Sequence, residues 1–445
     1  MNISVVRAVE LNSLSDDQRS LLKDQVLRTG YPFLICESTQ VIIEPVFRFV
    51  WQRHGTKGRY VENTALADVD DLRDWYQFLA HFKVKWDAVQ RQHIEQYRDY
   101  MLKLISPKTN EAYSVKTVKR RVGTVLAFYR HFNARHETSV DLGDKSQAIR
   151  RPIDENMLAH VSRGVRACHN PILPASHSGI DDGVRAFNVR QYRLVAHALG
   201  SLPNYDRNDT RPVRDRLWAE LCLHSGMRPG EPINVTVHAI LDLTPEDPEN
   251  QAGLTFLRVH GKGNKVRKVE VPNLVLKWLH WYIDHERRDA IAEGRRRGNI
   301  VGRNEPSALF LNGTNARHNA GKPATYDSFQ SAFRNAVLAA ASSAGQTAGL
   351  MRIVLKVEPD TQQSYTLSEP AFTGHCLRHT YAVWSYLAER EQGNVEPWKI
   401  LQARLGHAEL ATTINTYLRI AGDFEAQLSD RVAGSLAAIL RDSQG

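Results

Sequence analysis

Five short segments in the second half of the sequence carry residue types that can grip an anion or attack phosphorus. Leu221-Cys222-Leu223-His224-Ser225-Gly226-Met227-Arg228-Pro229-Gly230-Glu231 places an arginine just past an apolar helical run, in a glycine-bounded turn. Glu231 lies three residues on and can pair with it, which taken alone is an ordinary surface ion pair. Leu254–His260 and 265–271 alternate around Gly261-Lys262-Gly263-Asn264, the pattern of a β-hairpin. Arg258, Lys262, Lys265, Arg267 and Lys268 make that hairpin basic; such a tip lysine is usually solvated, or it presents an ammonium to a phosphate ester. In Gly374-His375-Cys376-Leu377-Arg378-His379-Thr380, His375 and Arg378 share a helix face near its N-terminus, a place for an anion. Leu405-Gly406-His407 marks a turn between helices, and Thr412-Thr413-Ile414-Asn415-Thr416-Tyr417-Leu418 follows. Alone, Tyr417 reads as a half-buried aromatic. No G-x-x-x-x-G-K-[ST] loop and no H-E-x-x-H occurs, and 18 histidines make scattered pairs expected by chance, so they do not argue for a metal.

The order of these pieces is more specific than any one of them. Arginine, hairpin lysine, H-x-L-R-H-T, L-G-H and T-T-x-x-T-Y, running from Arg228 to Tyr417, resemble the tyrosine recombinase (phage integrase) family. The helical stretch ending in Val118-Lys119-Arg120-Arg121-Val122 and Phe128-Tyr129-Arg130 also resembles that family's core-binding domain. The resemblance implies a mainly α fold with a small antiparallel sheet: a helical core-binding domain plus a mixed α/β catalytic domain. It implies site-specific cleavage and rejoining of double-stranded DNA through a 3′-phosphotyrosine, without metal, ATP or cofactor, in an integrase, resolvase or transposase role. By it, Arg228 and Arg378 grip the scissile phosphate, Lys262 protonates the leaving 5′-oxygen, His375 assists deprotonation of the phenol, and His407 donates to a phosphate oxygen. Tyr417 is the nucleophile and Glu231 supports Arg228. The chemistry is self-consistent. Two guanidiniums match the transition-state charge, each preorganised donor being worth roughly 3–4 kcal/mol, and a tyrosyl ester stores the bond energy.

These residues need elements to carry them. Leu66, Val69, Leu72, Tyr76 and Leu79 recur at helical spacing after a cap at Asn63 or Thr64, and Val89, Ile94, Tyr97 and Met101 do so again. A third helix, capped by Ser114, has the apolar stripe Val115, Val118, Val122, Val125, Leu126, Tyr129 and Phe132. Its other surface carries Lys116, Lys119, Arg120, Arg121, Arg130 and Arg135 with no acidic residue, which favours a face laid on phosphates over a merely solvated one. The predicted DNA contacts are therefore Lys116, Lys119, Arg120, Arg121 and Arg130 on this helix and Arg258, Lys265 and Arg267 on the hairpin.

The predicted layout is residues 1–60 as an N-terminal extension without assigned chemistry, 61–136 as the helical DNA clamp, 137–187 as a linker with a short helix near 156–165, and 188–445 as the catalytic domain. Two domains on such a linker can close around a duplex. Phe33-Leu34-Ile35 and Val41-Ile42-Ile43 read as short buried segments. Extra sequence relative to the family falls near 243–251, 287–303 and 341–371; the arginine-rich 287–303 reads equally as a solvated loop or a DNA contact. Phe424, Leu428, Val432, Leu436 and Ile439 form an amphipathic pattern after Tyr417. In similar recombinases that segment docks on a neighbouring protomer, so a homo-oligomer on DNA, dimer to tetramer, is expected, with room for accessory recombination proteins.

Composition bounds the alternatives. The chain has 445 residues, enough for two or three domains, and 58 basic against 49 acidic residues give a net charge of +9, compatible with nucleic acid. No apolar run is long enough to span a bilayer and no secretory signal opens the sequence, so a cytoplasmic protein is expected. Cys36, Cys168, Cys222 and Cys376 are too scattered for a disulfide framework or a cysteine zinc site. The rival readings are an inactive DNA-binding protein of the same fold, a metal-dependent nuclease using some of the histidines, and a tyrosine topoisomerase.

Overall fold

The computed structural model describes residues 2–8, 29–55, 62–107, 109–143, 170–174, 184–203, 209, 211–261, 266–345, 348–358, 361 and 363–406. The chain divides into two compact units, residues 1–179 with 355–366, and residues 180–354 with 367–445. The fold is mainly helical with small antiparallel sheets, as the sequence suggested.

The first unit opens with strands β1 (Ile3–Arg7), β2 (Pro32–Cys36) and β3 (Val41–Ile42), paired antiparallel in that order. Helices α1 (Glu44–His54), α2 (Glu62–His81), α3 (Arg91–Lys103) and α4 (Val115–Asn133) follow. Ser114 caps α4 as expected, its hydroxyl accepting from the Thr117 amide at 3.2 Å. The proposed caps of α2, Asn63 and Thr64, instead lie inside its first turn. Leu72, Trp75, Ile94, Tyr97, Val122 and Phe128 form one core. That core also takes Ile3, Leu34, Val46 and Phe49, so the described part of 1–60 is built into the same body rather than appended to it. Val140, Leu142 and Ile172, placed in the linker by sequence, are buried there too. Val41 and Ile42, read as buried, are 61% and 44% exposed; only Ile43 of that trio turns inward. The short helix near 156–165 falls outside the described residues.

The second unit contains α5 (Val189–Leu199), α6 (Arg214–Ser225), α7 (Val237–Leu241), β4 (Leu254–His260), β5 (Val266–Pro272), α8 (Asn273–Tyr282), α9 (Arg288–Arg296) and α10 (Tyr326–Ala344). Then come β6 (Met351–Val357) and β7 (Ser364–Pro370), of which residues 355–366 count with the first unit, and α11 (His375–Glu391) and α12 (Pro397–Leu405). The hairpin forms with Leu257 opposite Val269. Thr255, Leu257 and Val259 are buried while Phe256 and Arg258 face out, the alternation of a half-covered sheet. α6 is the central element: Leu217, Trp218, Leu221 and Cys222 are fully buried among β5, α8 and α11. A π-helical turn at Ile283–Arg287 joins α8 to α9, and Glu286 from it accepts the Val213 amide at 2.7 Å, satisfying a donor at the start of α6. The extra sequence at 341–371 becomes the end of α10 plus the β6–β7 hairpin. No described helix is long and apolar enough to cross a membrane.

Candidate active site

The end of α6 builds the first part of the site. Gly226 stops the helix in the left-handed region at φ 64°, its amide donating to the Cys222 carbonyl. Met227 then plugs into the core, and Arg228 emerges with its side chain 34% exposed. Trp218 holds the following turn: its indole donates to the Pro229 carbonyl at 2.9 Å, and its ring stacks between Phe310 and Phe329 with centroids 5.0 Å away on both sides.

Glu231 reaches back over this turn. It accepts from the Arg228 amide at 2.8 Å and from Arg228 Nη1 at 2.9 Å. It also accepts from Arg267 Nη2 at 2.7 Å. Burial alone would raise its pKa; Arg267 and the two Arg228 hydrogen bonds outweigh that, and the carboxyl sits below its ordinary value. Glu231 is therefore an anion at neutral pH that fixes both the backbone and the head of Arg228.

Arg378 lies in the first turn of α11 and is 4% exposed. Its Nη1 donates to the Gly226 carbonyl and its Nη2 to the Leu405 carbonyl at 2.7 Å. One guanidinium thus links the C-termini of α6 and α12, where unpaired carbonyls and the negative ends of both helix dipoles concentrate. Arg267 donates to the neighbouring Arg404 carbonyl at 3.0 Å. The Arg404 side chain in turn pairs with Glu270 of β5 and Glu389 of α11, each at 2.9 Å. Gly406 ends α12 at φ 66°, and a Cβ there would meet Arg267 Cδ at 2.8 Å. α12 is thereby delivered to a fixed place, ending two residues before His407.

His375 starts α11 and retains solvent contact. Its pKa is nevertheless lowered, first by lost hydration and then by the charges of Arg378 and Arg228. Both guanidiniums therefore act on this ring, which is neutral at pH 7 and able to accept a proton. Cationic donors beside a neutral imidazole suit an anionic, multi-oxygen group such as a phosphodiester. Among the described residues no group of three or more histidine, cysteine or acidic side chains is placed to hold a metal ion.

Of the residues singled out by sequence, Arg228, Glu231, His375 and Arg378 come together here. Lys262, Lys265, His407 and Tyr417 lie outside the described residues. Lys116, Arg130 and Arg258 are exposed, and Lys119 is half-buried. Three predicted DNA contacts need correction. Arg267 is 13% exposed and committed to Glu231 and the Arg404 carbonyl, so it faces inward. Arg121, 14% exposed, pairs with Asp74 and packs over the Tyr113 ring at 4.4 Å. Arg120 is half-exposed but paired with the buried Asp71. α4 does lack acids of its own; α2 supplies them. In the 287–303 stretch Arg287 is buried on the Pro306 and Ala308 carbonyls, Arg296 and Arg297 pair with Glu293, and Arg295 pairs with Glu305. These pairings favour the solvated reading for that stretch.

Sequence reasoning missed Arg404, Glu270 and Glu389, and read Gly226 only as the boundary of a turn. One signal was available for Arg267. It shares strand parity with Val269 and Val271, the buried face of β5.

Comparison with known proteins gives a family. Residues 193–422, just over half the chain, match the Phage integrase family. A tyrosine recombinase XerD of Oceanobacillus iheyensis is 23% identical over 373 residues, covering 83% of this chain and 91% of that protein. A tyrosine recombinase XerC of Chlamydia muridarum is 28% identical over 233 residues, covering 52% and 54%. Among solved structures, a lambda integrase tetramer bound to a Holliday junction matches with TM-score 0.44 at 12% identity, covering 90% of this chain and 83% of that one.

Proposed function

The chain belongs to the phage integrase family and is a tyrosine-type site-specific recombinase acting on DNA, and from that premise we propose how its residues do the work. Arg228 and Arg378 hold the non-bridging oxygens of the scissile phosphate. The Tyr417 oxygen attacks phosphorus while its proton passes toward neutral His375. The P–O5′ bond breaks, and the 5′-oxygen takes a proton from Lys262. His407 donates to a phosphate oxygen. The product is a 3′-phosphotyrosine and a free 5′-hydroxyl, and attack by a 5′-hydroxyl of another strand reverses the step without ATP. The observation that carries this reading is the gathering of Arg228, held by Glu231, and Arg378, held by the Gly226 and Leu405 carbonyls, beside His375.

The proposal extends to self-assembly on double-stranded DNA in the cytoplasm. An apolar groove of about 1030 Å³ lies between α5, α10 and α11, lined by Leu194, Ala339, Trp384 and Leu387 and edged by Arg190 and Arg193. It suits an amphipathic segment with acidic residues, such as the sequence from Asp423 to Ile439.

The test is a nicked suicide duplex carrying the cognate site. Wild type is expected to leave a covalent adduct on a denaturing gel in excess EDTA, and Tyr417→Phe to bind the duplex without forming one. An adduct surviving in Tyr417→Phe, or cleavage abolished by EDTA, refutes the reading. Relaxation of plasmids lacking any cognate site would favour a topoisomerase.

A further inference from the structure

Arg267 has an uncommon set of partners for a residue on a basic hairpin. Its guanidinium spans two groups that belong to different parts of the site. Nη2 donates to Glu231, the carboxylate that holds Arg228. Nη1 donates to the Arg404 carbonyl at the end of α12. Its Cδ sits where a side chain on Gly406 would have to go, so the turn before His407 is moulded on it. Nε is buried without a partner, a cost that the native fold tolerates to keep the head in this position.

We propose that Arg267 is a positioning residue for strand cleavage, acting through Glu231 on Arg228 and through the Arg404 carbonyl on the end of α12, with no contact to DNA. The inference rests on the recombinase reading above. Geometry supports it over a DNA contact: the head is 13% exposed and its hydrogen bonds run to protein. Charge supports it as well. Glu231 beside Arg228 alone would draw that guanidinium fully into a private ion pair. Arg267 shares the carboxylate, and Arg228 keeps the partial exposure a phosphate needs. A lysine would lack the two-pronged planar head that reaches a carboxylate and a carbonyl at once.

The test compares wild type, Arg267→Gln and Arg267→Lys for duplex affinity, melting temperature and single-turnover adduct formation. Two nicked substrates are used, one with a normal scissile phosphate and one with a neutral methylphosphonate at that position. Affinity is expected to stay within about twofold and its salt dependence to be unchanged, since no phosphate contact is lost. Adduct formation on the normal substrate is expected to fall about 10²-fold in Arg267→Gln, the scale of an ångström-sized misplacement, and less in Arg267→Lys. The deficit should shrink on the methylphosphonate, where Arg228 has less charge to balance. A fold-wide defect would persist equally on both substrates. Arg267→Lys keeps a cation beside Glu231 and serves if Arg267→Gln melts too low. Equal rates for wild type and Arg267→Lys, a deficit identical on both substrates, or a weakened affinity with a shallower salt slope would each overturn the proposal. If wild type itself forms no adduct, the recombinase mechanism fails rather than this inference.

Discussion

Gly226→Ala should damage stability and cleavage together, and the structure says by how much. Two costs add. At φ 64° an L-residue pays roughly 1–2 kcal/mol for left-handed backbone. The new Cβ would also lie 2.5 Å from Tyr381 Cδ1 and 2.6 Å from Cε1, where carbon contacts prefer about 3.5–4.0 Å. Tyr381 is itself buried in a small core with Tyr386, Leu401 and Leu405, so the ring cannot simply swing out. Overpacking of this kind costs about 1–3 kcal/mol. The sum is roughly 2–5 kcal/mol, or a fall in melting temperature of about 5–15 °C for a domain of this size. The functional cost follows from connectivity. The Gly226 carbonyl accepts from Arg378, and Tyr381 is one turn along the same helix. Relief of the clash therefore moves α11 away from α6 and takes Arg378 off its anchor, with adduct formation expected to drop about 10²-fold. Thermal unfolding and single-turnover adduct formation are the assays. A double variant with Tyr381→Leu should recover the packing part but not the backbone part, giving a coupling energy within about 0.5–3 kcal/mol. A melting temperature within about 1 °C of wild type, with zero coupling to Tyr381, would refute the reasoning.

The remaining expectations concern His375 and the C-terminal segment. Because the His375 pKa lies below its ordinary 6.5, the neutral ring that accepts the phenol proton persists at pH 6.5, and adduct formation should decline only as pH falls through the lowered value. His375→Gln should remove that acid limb along with most of the rate; an unchanged pH profile in the variant would show that another group sets it. Truncation after Ala421 should leave binding to a single half-site intact while abolishing assembly on a full site, read by gel mobility. Full-site complexes that persist would place the self-association surface elsewhere.

How much of this site could be read from the chain depends on the range of the interactions. Ser114 capping α4, the alternation of β4 and the helix opening at His375 are local, and local spacing announces them. Arg228 and Glu231 are three residues apart, so their pairing was legible as well. Asp71 and Asp74 sit about fifty residues before the arginines they neutralise. Counting charge along α4 alone therefore missed that two of its arginines, Arg120 and Arg121, already have acidic partners on α2. The link from Arg267 to the Arg404 carbonyl crosses 137 positions, and a backbone oxygen leaves no mark in a sequence. Only strand parity hinted that Arg267 turns inward.

The placement of acids explains how so many cations can share one small site before any phosphate arrives. Arg228, Arg267, Arg378 and Arg404 would repel one another if gathered bare. They are held in three ways. Arg228 and Arg267 share the carboxylate of Glu231, and Arg404 takes Glu270 and Glu389. Arg378 donates to the Gly226 and Leu405 carbonyl oxygens, at the C-terminal ends of two helices whose dipoles favour a cation. These carbonyls steady its position. A phosphodiester entering beside His375 would thus meet guanidiniums already fixed by protein groups, with little reorganisation needed as transition-state charge develops.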